Sequence, residues 1–446
     1  MTGYWCELAW VGGHRAQPGV LIQVQGDRIA SVSTSVPFPP DAVRLAGLTL
    51  PGMANAHSHA FHRALRGRTQ VGTGSFWTWR DQMYDLAARL TPDTYHQLAR
   101  AVYGEMALAG ITCVGEFHYL HHGPGGVPYA DPNAMGEALM AAAADAGIRI
   151  TLLDTCYLHG GIGMPLNEVQ HRFSDGTVEQ WASRVADLRT DDSPVRRIGA
   201  AVHSVRAVHP AGIADVSAWA RERRLPLHAH VSEQLAENRQ CIEAYGLTPT
   251  ALLADRGALG PHFTAVHATH LSGVDIGLYG LNRCTICMCP TTERDLADGI
   301  GPARSAREAG VRLSLGSDSH AVIDMFEEAR AVELDERLSS NVRGTHTSPA
   351  LLGAATVDGH RCLGWGEAGT LTVGALADLV TVRLDSVRTA GTTMHTALEA
   401  AVFAAGAADV HHVVVGGRVV VADGRHTTID VAAELHRTIV ALTEPS

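Results

Sequence analysis

The 446-residue sequence predicts an α/β chain: a (β/α)8, TIM-like barrel with a small β-sandwich domain built from both termini. Three observations carry this expectation. Eight short, near-continuous apolar segments alternate with stretches of helical period, as in a parallel sheet buried on both faces. Imidazoles and carboxylates recur where those segments end, the face on which such barrels place their chemistry. Strand-like pieces separated by Gly and Pro occupy both ends of the chain.

Taken in order, Val20–Val24 and Arg28–Val32 open the small domain, and Ala377–Val382 and His412–Val421 return to it. The expected division is 1–48 plus 366–446 for this composite unit and 49–365 for the barrel. Barrel strands are expected at Leu48–Asn55, Thr112–Phe117, Arg149–Thr155, Ile198–His203, Leu225–His230, Phe263–His267, Cys284–Cys289 and Val311–Ser317. Helical period marks Tyr95–Ala109, Ala134–Ala146 and Ile213–Arg224. An open doubly wound sheet is the alternative; no Gly-rich fingerprint follows the first strand to favour it.

Composition excludes several functions. A formal net charge of −11 argues against a nucleic-acid partner. All 35 basic residues are Arg, so there is no Schiff-base lysine, no P-loop lysine and no carbamylated lysine to bridge two metals. Met1–Ala30 lacks the pattern of a secretion signal, and no charge-free apolar run reaches about 18 residues, so no membrane association and a cytoplasmic location are expected. The eight Cys are read as reduced thiols, with Cys284, Cys287 and Cys289 in the core rather than on a metal.

The polar residues give the sharper reading. His57 and His59 are two apart, so on a strand both imidazoles face one way and can share a metal ion. His230 and Asp318 at the ends of other strands complete a set of three His and one Asp, which suits Zn2+, with Fe2+ and Mn2+ as alternatives. Glu233, three residues past His230, is placed to face a substrate at the metal. His267, closing the next strand, is expected to orient groups at the metal or relay protons. His270 is expected outside the pocket, and His121, His122 and His209 are read as loop histidines.

Pro51-Gly52-Met53-x-Asn55-x-His57-x-His59 resembles the first metal motif of the amidohydrolase superfamily, and Gly316-Ser317-Asp318-Ser319-His320 resembles its strand-eight motif. The tail Gly369-Thr370-Leu371-x-x-Gly374-x-x-Ala377-Asp378-Leu379-Val380 is similar to the segment returning such chains to their small β domain. A ligand set without a bridging lysine resembles the mononuclear deaminases of that group. Finer resemblance is to the formimidoylglutamate deiminases. It is carried by His57-Ser58-His59-Ala60-Phe61, Ser75-Phe76-Trp77-Thr78-Trp79-Arg80, Glu116-Phe117-His118-Tyr119, His203-Ser204-Val205-Arg206-Ala207-Val208 and the run Cys289 to Gly299. One departure is His62, where that family usually carries Gln.

The resemblance implies an enzyme of histidine degradation, a metal-dependent hydrolase of a carboxylate-bearing amidine, with one metal per chain and a homodimeric assembly. It implies Glu233, His267 and Asp318 as catalytic groups and Arg206, Arg80, His203, Tyr119 and His62 as substrate contacts. Trp77 and Trp79 either line the pocket or pack in the core. The competing expectations are deamination of a purine or other heterocycle, a different amidine, and a non-catalytic assembly protein of the same fold.

Overall fold

The structure is a computed structural model that describes residues 1–70, 74, 76–188 and 193–444, with the side chains of Phe76 and Trp77 outside the description. Eight parallel strands follow one another around a barrel: β1 (Met53–Ser58), β2 (Ile111–His118), β3 (Arg149–Cys156), β4 (Arg196–Val202), β5 (Leu227–Val231), β6 (Phe263–His267), β7 (Thr285–Met288) and β8 (Arg312–Leu315). Each pairs with the next in sequence order. A parallel bridge between Ser58 and Asp318 brings the last strand back to the first. At that seam the amides of Ser317 and Asp318 donate to the His57 carbonyl at 3.1 and 3.0 Å. Asn55 pins the same junction, its amide donating to Ser317 Oγ at 2.7 Å and its Oδ1 accepting from the Ser317 amide at 2.9 Å. This (β/α)8 barrel is the fold the sequence predicts.

The sequence pattern accounts for the elements locally. Every residue of β2 and β3 is buried, as expected of strands covered on both faces. Helix Pro92–Leu108 begins with a Thr91–Thr94 capping box and Pro92 at its first position. Helix Ala134–Ala146 stops at Gly147, whose φ of 75° is the left-handed cap that favours glycine. His209, read as a loop histidine, caps helix Pro210–Glu222: its Nδ1 accepts from the Gly212 amide at 2.9 Å.

One expected strand divides in two. Leu48–Asn55 spans the end of a small-domain strand, Val43–Pro51, and the start of β1. Gly52 is the junction, where a Cβ would meet Thr112 Oγ1 at 2.3 Å. Only glycine lets the chain pass this close to β2 while crossing from one sheet to the other. His57 therefore lies inside β1 rather than beyond its end.

The second sheet orders Arg425–His426, Arg418–Ala422, Val410–Val415, Leu379–Val382, Val43–Pro51, Thr2–Ala9, Gln17–Gln25 and Arg28–Ser33. Both ends of the chain contribute to it, as expected, and Tyr4, Cys6, Ile22, Leu45, Leu379 and Val414 form a core of its own. The expected strand His412–Val421 is a hairpin, turned by Gly416 and Gly417 with φ of 55° and 74°.

Arg149 at the start of β3 ties this sheet to the barrel. Its Nε and Nη2 donate to the two oxygens of Asp378 at 2.8 and 3.0 Å, and Asp378 also accepts from the Gly416 amide at 2.7 Å. Arg149 is 1% exposed, so removing it strands a buried carboxylate. Arg149→Met is expected to cost about 3–5 kcal/mol, read as a lowered midpoint in urea unfolding; a shift worth under about 1 kcal/mol would reduce the pair to a surface-like contact. All eight Cys are buried and free, including Cys284, Cys287 and Cys289. Among the described residues no helix is long and apolar enough to cross a membrane.

Candidate active site

The polar side chains converge at the C-terminal ends of the barrel strands. His57 and His59 leave β1 on one face, while Ser58 between them turns away to donate to Glu116 Oε2 at 2.7 Å. Glu116 also takes the Ala60 amide on Oε1 at 2.6 Å, so one buried carboxylate fixes the chain on either side of His59. Burial pushes Glu116 up to about 7 against those hydrogen bonds.

Asp318 follows β8. Its Oδ1 is 3.2 Å from His57 Nε2 and 3.3 Å from His59 Nε2. His230, on β5, brings its Nε2 to 3.1 Å from His57 Nε2. The other ring nitrogens of two of these imidazoles are occupied: His59 Nδ1 donates to the Phe117 carbonyl at 2.9 Å and His230 Nδ1 to the His203 carbonyl at 3.1 Å. A proton fixed on Nδ1 leaves the Nε2 lone pair aimed at the common centre, the usual arrangement behind metal-bound imidazoles. His57, His230, His267 and Asp318 can each offer a ligand atom within 4.8 Å of the others, and His59 forms a like group with His62 and Asp318. Converging nitrogen lone pairs beside a carboxylate fit a divalent cation.

The protonation states of His57, His230 and Asp318 agree with that fit. Burial lowers His57 to about 3 and holds His230 well below the ordinary imidazole range, so both stay neutral. Burial pushes Asp318 upward, but the imidazoles of His57, His59 and His267 gathered around it prevail and hold its carboxyl well below the usual carboxylate range. The backbone is held in an uncommon conformation here: Ser232, His267, Ala268, Asp318 and His320 have φ of 52°, 65°, 52°, 40° and 57°. Left-handed non-glycine residues grouped at strand ends are a recurrent mark of functional sites.

Beside this centre stand further titratable groups. Glu233 Oε1 lies 3.9 Å from His267 Nε2, which lies 3.8 Å from Asp318 Oδ2. Glu293 Oε1 stands at the other ring nitrogen, 3.5 Å from Nδ1. Burial would lower His267, yet Glu233, Glu293 and Asp318 together raise it to about 10. Glu293 was legible only as part of a family motif, with no spacing to mark its role.

The cleft leading to these groups is lined by His62, Trp79, Arg80, Tyr119, Tyr157, His203 and Arg206. His62 Nε2 is 3.2 Å from the Tyr119 hydroxyl, and Trp79 packs edge-on against His62 at 5.0 Å. Trp79 thus both lines the cleft and packs on the core; the Trp77 side chain lies outside the described residues. Arg80 lies over the Tyr84 ring at 5.5 Å. His203 packs against Tyr157 at 4.5 Å.

Arg206 differs most from its sequence reading as a simple anchor. Its Nη2 donates to Glu233 Oε2 at 3.3 Å, and its Nε is 3.8 Å from Glu237 Oε2. Glu237, one helical turn beyond Glu233, escaped the sequence reading because a glutamate opening a helix looks solvated. Its burial is a tertiary fact: it is 1% exposed. His121 and His122 lie in the loop after β2, as the sequence reading has them. Both are buried, His121 Nε2 donating to the Thr155 carbonyl at 2.9 Å and His122 Nε2 reaching Asp175 at 3.0 Å. His118 and His121 lie beside Asp154, but Arg184 hydrogen-bonds both oxygens of that carboxylate at 2.9 and 2.8 Å and neutralises it. His270 is absent from the cleft lining.

Residues 48–420 match the amidohydrolase family. The chain belongs to it. This amidohydrolase is 37% identical over 420 residues to formimidoylglutamate deiminase of Pseudomonas aeruginosa, covering 92% of this chain and 90% of that protein. It is 29% identical to 5-methylthioadenosine/S-adenosylhomocysteine deaminase of Syntrophobacter fumaroxidans, covering 95% of this chain and 93% of that one. Among solved structures, an amidohydrolase from Brucella melitensis superposes with a TM-score of 0.92 at 32% identity over 100% of both chains. An adenosine deaminase from Xanthomonas campestris, solved with bound zinc, has a TM-score of 0.84 at 24% identity over 98% of this chain and 96% of that one, a likeness of fold.

Proposed function

We propose that this amidohydrolase converts N-formimidoyl-L-glutamate and water to N-formyl-L-glutamate and ammonia. The observation that carries the reading is the pairing, in one cleft, of a His/Asp metal centre and Glu233 with two guanidinium groups, Arg80 and Arg206. The first pair suits hydrolysis of an amidine and the second suits a dicarboxylate, for which Arg offers bidentate geometry. Identity of 37% with a formimidoylglutamate deiminase supports it.

His57, His59, His230 and Asp318 would hold a divalent cation, which when bound would supply Lewis-acid polarisation and lower the pKa of water toward neutrality. The protein groups do the rest. Asp318 accepts a proton from the attacking water, and the His267 imidazolium, 3.8 Å from Asp318 Oδ2, stabilises the negative charge that develops on its oxygen. Attack on the formimidoyl carbon gives a tetrahedral species. Glu233 takes the other proton of the water and carries it to the departing nitrogen, and return of the Asp318 proton to that nitrogen completes ammonia as the C–N bond breaks and the formyl carbonyl forms. The carboxylates of Glu233 and Asp318 also favour the amidinium form of the substrate. At the far end, Arg206, Arg80, His203 and Tyr119 receive the glutamyl carboxylates, with His62 bracing the Tyr119 hydroxyl at 3.2 Å.

We further propose zinc as the metal, one ion per chain, and a cytoplasmic homodimer. The aromatic cleft wall, with Trp79, Tyr84, Tyr119, Tyr157 and Phe173, favours one second reading, deamination of a heterocycle. A single assay separates the two: ammonia release by zinc-loaded protein from N-formimidoyl-L-glutamate, N-formimidoyl-L-aspartate and adenosine. Rapid release from the glutamyl compound alone is the expected result. Release from adenosine alone would reverse the assignment, and release from the aspartyl compound alone would identify a shorter amidine as the substrate.

A further inference from the structure

Arg206 stands between two carboxylates that differ in position. Glu233 lines the cleft beside it, whereas Glu237 is buried and does not. Glu237 Oε2 faces the guanidinium Nε at 3.8 Å, and Nη2 reaches Glu233 Oε2 at 3.3 Å. Glu237 thus tethers the cation from behind while its far end engages the group proposed to carry the proton. Glu233 Oε2 is thus engaged by Arg206, while Oε1 faces His267 Nε2 at 3.9 Å.

The geometry points to a gate: in the ligand-free protein Arg206 restrains Glu233, and a carboxylate entering the cleft draws Nη2 away and frees Glu233 for proton transfer. This rests on the proposed amidine hydrolysis and adds the condition under which it runs. The exchange is physically favourable. The Arg206–Glu233 contact at 3.3 Å is long beside the 2.7–2.9 Å of a good charge-assisted bond, and an incoming carboxylate can make two such bonds to one guanidinium. Glu237 keeps the cation within reach of either partner. A carboxylate-free amidine leaves Glu233 restrained even though it fits the metal end. Substrate choice is then enforced in catalysis as well as in binding.

The test splits the substrate into pieces. Formamidine supplies the amidine, and glutarate supplies the two carboxylates. With zinc-loaded protein, glutarate is expected to raise kcat/KM for formamidine at least about tenfold, a part of the 10²–10⁴-fold that a fully positioned acid or base contributes. Arg206→Met is expected to raise the glutarate-free rate toward the stimulated one and to abolish the response. Because that change leaves Glu237 buried without its cation, Arg206→Met/Glu237→Gln is measured beside it, with the same expectation. Calorimetry of glutarate binding to metal-free protein gives a readout apart from turnover: Glu237→Gln should weaken binding severalfold, and Arg206→Met should weaken it further.

A formamidine rate indifferent to glutarate, a response that survives Arg206→Met, or glutarate binding unchanged by Arg206→Met each overturns the gate. N-formimidoyl-L-glutamate run in the same series separates the two levels. Its turnover alongside an indifferent formamidine rate rejects the gate alone. Turnover of neither substrate rejects the proposed reaction, and glutarate binding then decides the Arg206 contact by itself.

Discussion

Glu233→Gln is expected to lower kcat on N-formimidoyl-L-glutamate by about 10²–10⁴-fold, the range in which a positioned acid or base acts. Glutamine preserves the length and hydrogen-bonding shape of the side chain but cannot carry a proton between water and the departing nitrogen. Glu233 lies outside the set of groups that converge on the metal centre, so metal content should stay at the wild-type level. Metal analysis and steady-state kinetics on the same preparation check both halves. A variant retaining more than about a tenth of wild-type kcat would remove Glu233 from the reaction. Loss of metal together with activity would recast it as a group that maintains the centre.

The second large effect is on stability. Zinc added to metal-free protein at about 1,000 times its dissociation constant is expected to stabilise the fold by about 4 kcal/mol, because only the folded chain assembles the site. His57 and His230, whose Nε2 atoms meet at 3.1 Å, are 173 residues apart in the chain, so an unfolded chain has no comparable set of donors. Asp318→Ala removes the carboxylate shared by His57 and His59 and should abolish most of this shift along with turnover. Thermal unfolding with and without zinc measures it. An Asp318→Ala protein that gains as much stability from zinc as the wild type would place the ion elsewhere.

The barrel was legible because its strands are buried on both faces and therefore read as apolar runs, as β2 and β3 do throughout. The expected strand at Leu48–Asn55 spanned two elements because nothing in local propensity distinguishes a strand that changes sheets. The break at Gly52 is set by the approach of Thr112, from another part of the chain. Periodicity also gave no warning that His412–Val421 folds back on itself at Gly416-Gly417, although paired glycines are a turn signal in their own right.

In the site, His57 and His59 were legible because a spacing of two on a strand fixes a common face. Arg206 and Glu233 were each visible in motifs, but their hydrogen bond and the tether from Glu237 were not. Loop-like sequence likewise concealed the burial of His121 and His122, whose partners Thr155 and Asp175 come from other segments.

The sequence by itself determined the α/β class, the exclusion of lysine chemistry and the residue types available to hold a metal and move a proton. These follow from composition, from side-chain period and from spacing within one element, all of which are local. The tertiary structure alone decided which oxygen faces which nitrogen. It set His267 among three carboxylates and placed Asp318 with a φ of 40° opposite β1. It also turned Arg206 from a waiting cation into one already engaged. Such relations depend on barrel closure and on burial, which bring together groups far apart in the chain and settle their charges by the neighbours they meet.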